Sequence, residues 1–311
     1  MGAHEGTWLV KLLITGATGQ LGTDLVLSAR LAGHEVVACS HRDLEITNAH
    51  DVHRVVDKAR PETIIHAAAW TAVDACESDP KKAMAVNRDG TSNIVRAAQA
   101  VGARVLYIST DYVFDGTKTD PYIETDLPNP QSVYGASKLA GEREMELAGE
   151  LASDLTSDLA SDLTSDLAGN IIVRISWVCG EHGANMVKTI LRLAATNATL
   201  TFVDDQIGCP TFTSDAAPMI VQLATSNHRG IWHLTNQGVT SWFGFARDVL
   251  TAAGLDPNRV VATTTKLLTP SRPAKRPANS VLANMEMRKA NLPLLDDYHI
   301  PLQRLVDRLT S

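Results

Sequence analysis

The run Leu9-Val10-Lys11-Leu12-Leu13-Ile14, followed at once by Thr15-Gly16-Ala17-Thr18-Gly19-Gln20-Leu21-Gly22, decides the fold. Its first six residues are almost continuously apolar, as expected of a strand covered on both faces. A helical pattern through Leu25, Val26 and Ala29 ends near Gly33, and Glu35–Cys39 reads as a second strand. Strand, glycine turn, helix, strand is a βαβ unit. The glycines at 16, 19 and 22 suit a phosphate-binding turn. One lets the backbone turn tightly, one removes a side chain where a pyrophosphate approaches, and one lets helix and strand pack closely. The helix N-terminus then faces the phosphates. A tight turn without a ligand is the plainer reading, but the strand–turn–helix setting argues for a dinucleotide site.

The alternation continues along the chain. Residues 51–59 read as a helix, Thr63–His66 as a strand, 83–101 as one long Ala-rich helix, 104–108 as a strand, 133–147 as a helix and Ile171–Ile175 as a strand. Apolar strands spaced by helices predict an α/β fold, a Rossmann-type doubly wound parallel sheet. Residues 9–177 form the NAD(P)-binding domain on this reading. Residues 178–311, with helices near 186–195, 216–224 and 243–253, strands near 200–203 and 230–234, and a C-terminal helix at 302–309, mainly form a smaller substrate-binding lobe, partly interleaved with the first domain. Residues 153–168 repeat Ser-Asp-Leu-Thr/Ala four times. This low-complexity insert, 151–168, reads as a duplicated surface extension of the preceding helix.

Composition narrows the function. With 311 residues, 44% hydrophobic and 20% charged, the chain has a globular balance, which excludes disorder as its general state. A net charge of −7 supplies no basic footprint, so nucleic acid is not an expected partner. No apolar run approaches the ~18 residues of a membrane span, and residues 1–8 hold no apolar stretch of signal-peptide length. Cys39, Cys76, Cys179 and Cys209 match no zinc or disulfide framework. Reduced thiols in a cytoplasmic protein are expected.

The second strand ends in Cys39-Ser40-His41-Arg42-Asp43. NAD sites usually place an acid at this point. Arg42 suits a 2′-phosphate, which favours NADPH over NADH; a solvated loop arginine is the alternative. Tyr134-Gly135-Ala136-Ser137-Lys138 places a phenol and an ammonium one helical turn apart. Ketone reduction needs a proton at the forming alkoxide. A free phenol is a poor acid at neutral pH, and a nearby ammonium is expected to lower its pKa. Thr110, closing the strand that begins at 104, lies where such sheets bind ligands. It is placed to hydrogen-bond the reacting carbonyl beside Tyr134. Asp111 either holds a sugar hydroxyl or caps the loop through Gly116.

These residues go further than a general Rossmann pattern. Gly-x-x-Gly-x-x-Gly resembles the extended branch of the short-chain dehydrogenase/reductase superfamily. Ser109-Thr110-Asp111-Tyr112-Val113-Phe114-Asp115-Gly116 and Val133-Tyr134-Gly135-Ala136-Ser137-Lys138-Leu139-Ala140-Gly141-Glu142 resemble the signatures of dTDP-4-dehydrorhamnose reductases. So do residues 66–74, Arg174-Ile175-Ser176-Trp177-Val178, Asp205-Gln206-Ile207-Gly208-Cys209-Pro210-Thr211, and Arg276-Pro277-x-Asn279-Ser280-x-Leu282. The likeness spans residues 11–310 and is broken mainly by the repeat.

The resemblance implies NAD(P)H-dependent reduction of the 4-keto group of dTDP-4-dehydro-β-L-rhamnose to dTDP-L-rhamnose. It assigns Tyr134 as proton donor, Lys138 as its partner and Thr110 as the third catalytic member. Gln20, Leu21 and Gly22 would cradle the pyrophosphate, Glu45 and Ile46 would lie near the adenine, and Ala69 and Thr71 would line the nicotinamide side. Trp177 would flank the sugar near Asp111, and Asn185, Gln206 and Arg276 would face the nucleotide diphosphate. Glu45 stands where the family more often has Asp, and Cys179 where it often has Tyr. Some members are metal-bridged dimers; Asp24 lies in the comparable place on the first helix, and without a full ligand set no Mg2+ site is assigned. A monomer or homodimer acting on a nucleotide sugar is expected. His182 and His233 read as ordinary loop or strand histidines, and Trp70 and Trp242 as packing residues. Another nucleotide-sugar reductase or epimerase on this scaffold is an alternative, as is a non-catalytic regulatory subunit. The intact Thr110, Tyr134 and Lys138 argue against the last.

Overall fold

The structure, a computed structural model, describes residues 9–154 and 169–311. β1 (Lys11–Thr15), α1 (Gln20–Leu31), β2 (Glu35–Cys39), α2 (Ala49–Ala59) and β3 (Thr63–His66) come first. Two short helices, α3 (Val73–Ser78) and α4 (Pro80–Met84), lead through a π turn, Ala85–Asp89, into α5 (Gly90–Val101). β4 (Arg104–Thr110), α6 (Val133–Asp154) and β5 (Ile171–Ile175) follow. The remainder holds β6 (Val178–Cys179), α7 (Met186–Thr196), β7 (Leu200–Val203), β8 (Ile207–Gly208), β9 (Thr211–Phe212), α8 (Thr213–Ala224), β10 (Gly230–His233), β11 (Thr240–Ser241), α9 (Trp242–Ala252), β12 (Val260–Thr263), α10 (Met285–Lys289) and α11 (His299–Thr310). Most of the Ser-Asp-Leu repeat, residues 155–168, lies outside the described residues.

The central sheet is parallel throughout, in the order β2-β1-β3-β4-β5-β10. The chain moves outward from β1 to β2, then crosses back to β3 and proceeds the other way. The crevice of a doubly wound sheet opens at such a reversal, outside the carboxyl ends of the strands. One face of the sheet packs Leu12, Ile14, Leu106 and Val173 against Leu25 of α1 and Ile220 of α8. The other packs Leu13, Ile64, Val105 and Ile172 against Val56 of α2, Ile94 of α5 and Met145 of α6. A separate core joins Val187, Ile190, Phe245, Val249, Leu302 and Leu305 beneath β7 and β12.

Two expectations need correction. The strand near 230 and the helix near 216 were expected beside the main sheet. Instead β10 is its outermost strand and α8 covers it against α1. Strand β10 pairs with β5 over four residues, from Gly230↔Ile171 to His233↔Arg174, and the second lobe is built both from chain between β5 and β10 (α7, β7) and from chain beyond β10 (α9, β12, α11). The single helix over 83–101 is interrupted by the π turn. Asn87 within that turn spends its amide on Trp70 N and O and on Ser137 Oγ, at 2.8, 3.1 and 2.9 Å. A widened turn is a common way to project a side chain from a helix at a functional site.

The α1 turn is set by contact. A Cβ on Gly22 would lie 2.0 Å from the Gly16 carbonyl oxygen, and Gly16 itself has φ +65° with Ala68 N 2.8 Å from where its Cβ would be. Gly22→Ala is therefore expected to lower stability by about 1–3 kcal/mol, the cost of overpacking, in a thermal or denaturant melt. An unchanged melt contradicts this packing.

Candidate active site

Two cavities meet over the reversal of the sheet. The inner one, about 410 Å³, is lined by Gly16, Gly19, Gln20, Leu21 and Gly22 on one side and by Thr110, Asp111, Tyr134, Lys138 and Trp177 on the other, with Ala69 and Thr71 between them. The second, about 600 Å³, shares Gly16, Gly19, Ala67 and Ala69 with it and continues past His41, Glu45, Ile46, Thr47 and Lys82. Gly19 caps α1 without a side chain, and the first turn of α1 holds no acid. That cradle fits a dinucleotide pyrophosphate: small residues, an open helix N-terminus and no opposing charge.

Arg42 stands apart from this wall. Its loop is braced by Asp43, whose carboxylate accepts from Ser40 N at 2.9 Å. The Arg42 side chain is exposed and has no ion pair among the described residues. His41, which the sequence reading passed over, does line the cavity, 3.5 Å from Glu45 Oε2. Glu45 also accepts from Thr47 N and Oγ1, at 3.1 and 2.8 Å.

The reacting end is built on α6 and on the end of β4. Tyr134 and Lys138 stand one turn apart, both buried except where they line the cavity. The Lys138 ammonium sits 4.0 Å from the centre of the Tyr107 ring, and the Tyr112 ring meets Tyr134 edge-on at 5.5 Å. Burial pushes the Lys138 ammonium down to about 7, with Glu142 pulling the other way. Burial raises the Tyr134 phenol above its ordinary value, and the Thr110 hydroxyl hydrogen-bonded to it offsets this in part. The expected lowering of the phenol by the ammonium is thus overridden by desolvation. The phenol stays protonated at neutral pH, the form a proton donor requires.

A third cavity, about 370 Å³, adjoins the inner one across Tyr112 and is lined by Met186, Phe202, Gln206, Trp242, Arg272 and Arg276. Trp177 stacks flat on Trp242, centroids 3.6 Å apart, and holds a left-handed φ of +45°. A Cβ on Gly208 would come within 2.6 Å of the Trp177 ring. A non-glycine residue in that conformation persists only where its surroundings hold it, commonly at ligand sites. Trp242 is therefore part of the wall as well as a packing residue. Arg276 donates to both carboxylate oxygens of Asp74, at 3.0 and 2.9 Å. Gln206 donates to Thr265 Oγ1 at 2.9 Å.

Asn185 was expected to face a diphosphate. In the structure it caps α7 and donates to Gln20 Oε1 at 3.0 Å and Gly180 O at 2.7 Å. Gln20 in turn donates to Val178 O at 2.9 Å. Asn185 thus ties the glycine turn to the second lobe and is absent from the lining of the three cavities. Asp24 faces His182 Nε2 at 3.6 Å, and among the described residues no three His, Cys, Asp or Glu converge as a metal-ligand set. His233 is fully buried, its Nδ1 3.1 Å from Tyr122 O.

The sequence reading missed Tyr112, Arg272, Lys82 and Asn87. Asn87 carried a signal: a short polar residue that competes for backbone hydrogen bonds, set inside an Ala-rich helix. Nothing local marked the others, whose roles depend on lobes far apart in sequence.

Residues 10–311 match the family described as the RmlD substrate binding domain. A dTDP-4-dehydrorhamnose reductase of Streptomyces griseus is 39% identical over 297 residues, covering 94% of this chain and 91% of that protein. A solved dTDP-4-dehydrorhamnose reductase from Bacillus anthracis, in complex with NADP, superposes with a TM-score of 0.85 at 34% identity, over 97% of this chain and 100% of that one. A related structure from Clostridium acetobutylicum gives 0.87 at 36%, with the same coverage.

Asp111 provides a test independent of turnover. Its Oδ1 accepts from Thr110 Oγ1 at 3.0 Å, while its buried Oδ2 has no hydrogen-bond partner among the described residues. Burial pushes the carboxyl up to about 6. The folded pKa exceeds the unfolded one, so this group costs stability at high pH, and the cost disappears as pH falls through 6 toward 4. Asp111→Asn is expected to stabilise the unliganded protein at pH 8 by up to about 3 kcal/mol. Melts should show the gain shrinking with acidification; a pH-independent difference contradicts it.

Proposed function

The chain belongs to the family of the RmlD substrate binding domain, and from that premise and the cleft we propose that it is an NAD(P)H-dependent oxidoreductase. It reduces the 4-keto group of dTDP-4-dehydro-β-L-rhamnose to dTDP-L-rhamnose. The observation that carries this reading is the meeting of Tyr134, Lys138 and Thr110 in one cavity, opposite a glycine cradle made for a dinucleotide.

NADPH, or NADH, supplies the hydride when bound. Gly16, Gly19, Gln20, Leu21 and Gly22 hold its pyrophosphate, Glu45 and Ile46 flank the adenine, and Ala69 and Thr71 border the nicotinamide. His41 lies on the cavity wall, and Arg42, exposed beside it in the same loop, is the guanidinium available to a 2′-phosphate. Tyr134 Oη gives its proton to the sugar O4, and Thr110 Oγ1 holds the phenol and that oxygen together. The Lys138 charge stabilises the phenolate left behind and holds the nicotinamide ribose. Trp177 flanks the sugar, with Asp111 below it. Arg272 and Arg276 take the diphosphate, whose arrival replaces the Asp74 carboxylate at Arg276. Gln206 faces the same diphosphate, and Trp242 lies on the wall of that cavity.

Residues 9–177 form the cofactor domain, and 178–311 mainly the substrate lobe, apart from α8 and β10. Among the described residues no helix is long and apolar enough to cross a membrane. All four cysteines are buried free thiols, which suits a cytoplasmic setting. A monomer or homodimer acting on a nucleotide sugar completes the reading.

The test is oxidation of NADPH or NADH on addition of dTDP-4-dehydrorhamnose, followed by loss of the reduced-cofactor absorbance. Tyr134→Phe is expected to lower kcat by about 100-fold or more with little change in NADPH affinity. No turnover by the wild type with either cofactor overturns the reading, and full activity of Tyr134→Phe removes the phenol from its role.

A further inference from the structure

One buried charge is unused by the chemistry above. Glu142 follows Lys138 by one turn on α6 and is fully buried. Its carboxylate accepts from Ser109 Oγ, from Arg174 Nε at 2.9 Å and from Arg174 Nη2 at 2.6 Å. Ser109 and Arg174 are register partners on β4 and β5, so this clamp fastens α6 to the two strands beneath the reacting end. Among the described residues it is the one ion pair with both side chains at most 2% exposed. Such a pair adds little net stability over apolar packing, which leaves its use to be explained.

Lys138 supplies the use. Its ammonium has only the Tyr107 ring beneath it and makes no ion pair among the described residues. The groups around it are Glu142 on its own helix, Tyr107 of β4 and His66 of β3. Tyr134 and Asp111 share its cavity, and Arg174 of β5 stands behind Glu142. His66 is held neutral by burial, between Thr15 and Thr91.

We propose that Glu142 is a positioning residue for the reduction: anchored by Arg174 and Ser109, it sets Lys138 over the cleft and presents a fixed negative charge one turn along the same helix. This rests on the assignment of Lys138 made above. Burial alone drives Lys138 toward neutrality, and Glu142 is the group that opposes it.

The experiment is the pH profile of kcat for NADPH-dependent reduction of dTDP-4-dehydrorhamnose by four variants. Glu142→Gln removes the charge, and the double variant Glu142→Leu/Arg174→Met removes the pair while keeping an apolar filling. Glu142→Asp keeps the charge, and Lys138→Met tests the underlying assignment. In the charge-removed variants the alkaline limb is expected to move down by about one pH unit or more, so that kcat at pH 8 falls about tenfold. Glu142→Asp is expected to keep the wild-type limb at a lower kcat. A folded charge-removed variant with the wild-type limb overturns the proposal. If neither charge-removed variant folds, a displaced limb in Glu142→Asp overturns it. Inactive Lys138→Met beside a normal double variant refutes Glu142 alone, whereas active Lys138→Met refutes the Lys138 assignment itself.

Discussion

The seating of α6 on β4 and β5 is the constraint on which the site depends. Gly141 lies so close to the sheet that a Cβ there would come within 2.4 Å of the Tyr107 hydroxyl and 2.6 Å of Asn87 O. One residue on, Glu142 grips Arg174 and Ser109. One residue short of Lys138, Ser137 receives the Asn87 amide. Three contacts, two of them to Asn87, thus fix the rotation and height of one helix, and with it the phenol and ammonium that share its inward face.

The cleft gathers groups that burial disfavours in their charged forms. Lys138 and Asp111 are both displaced toward neutrality, and Tyr134 is held protonated. Groups perturbed by burial in one cleft cost folding stability and mark that cleft as a functional site. Arg276 follows the opposite course: Asp74 satisfies it with two bonds. The strained Trp177 belongs to the same arrangement, since its backbone is held by the Trp242 stack and by the space left at Gly208.

Much of this was legible in the sequence, and the limits are physical. The glycine turn after β1, the phenol–ammonium spacing and the Thr110 strand end are local patterns, and the structure brings all of them to one crevice. The return of β10 to the main sheet was not legible, because a short apolar strand carries no mark of which sheet it joins. Asn185 caps α7 and holds Gln20, and since a helix cap and a ligand donor demand the same amide, residue type alone does not separate the two. The inward placement of His41 rather than Arg42 depends on a loop held by Ser40 and Asp43, a detail below the resolution of residue spacing.

The most direct measurement is a crystal structure of the protein with NADP and dTDP-L-rhamnose bound together. The account predicts the sugar O4 within hydrogen-bond reach of Tyr134 Oη and Thr110 Oγ1, with Lys138 on the nicotinamide ribose and the diphosphate at Arg272 and Arg276. A dinucleotide lying outside the Gly16–Gly22 cradle, or a sugar whose O4 points away from Tyr134, would contradict it.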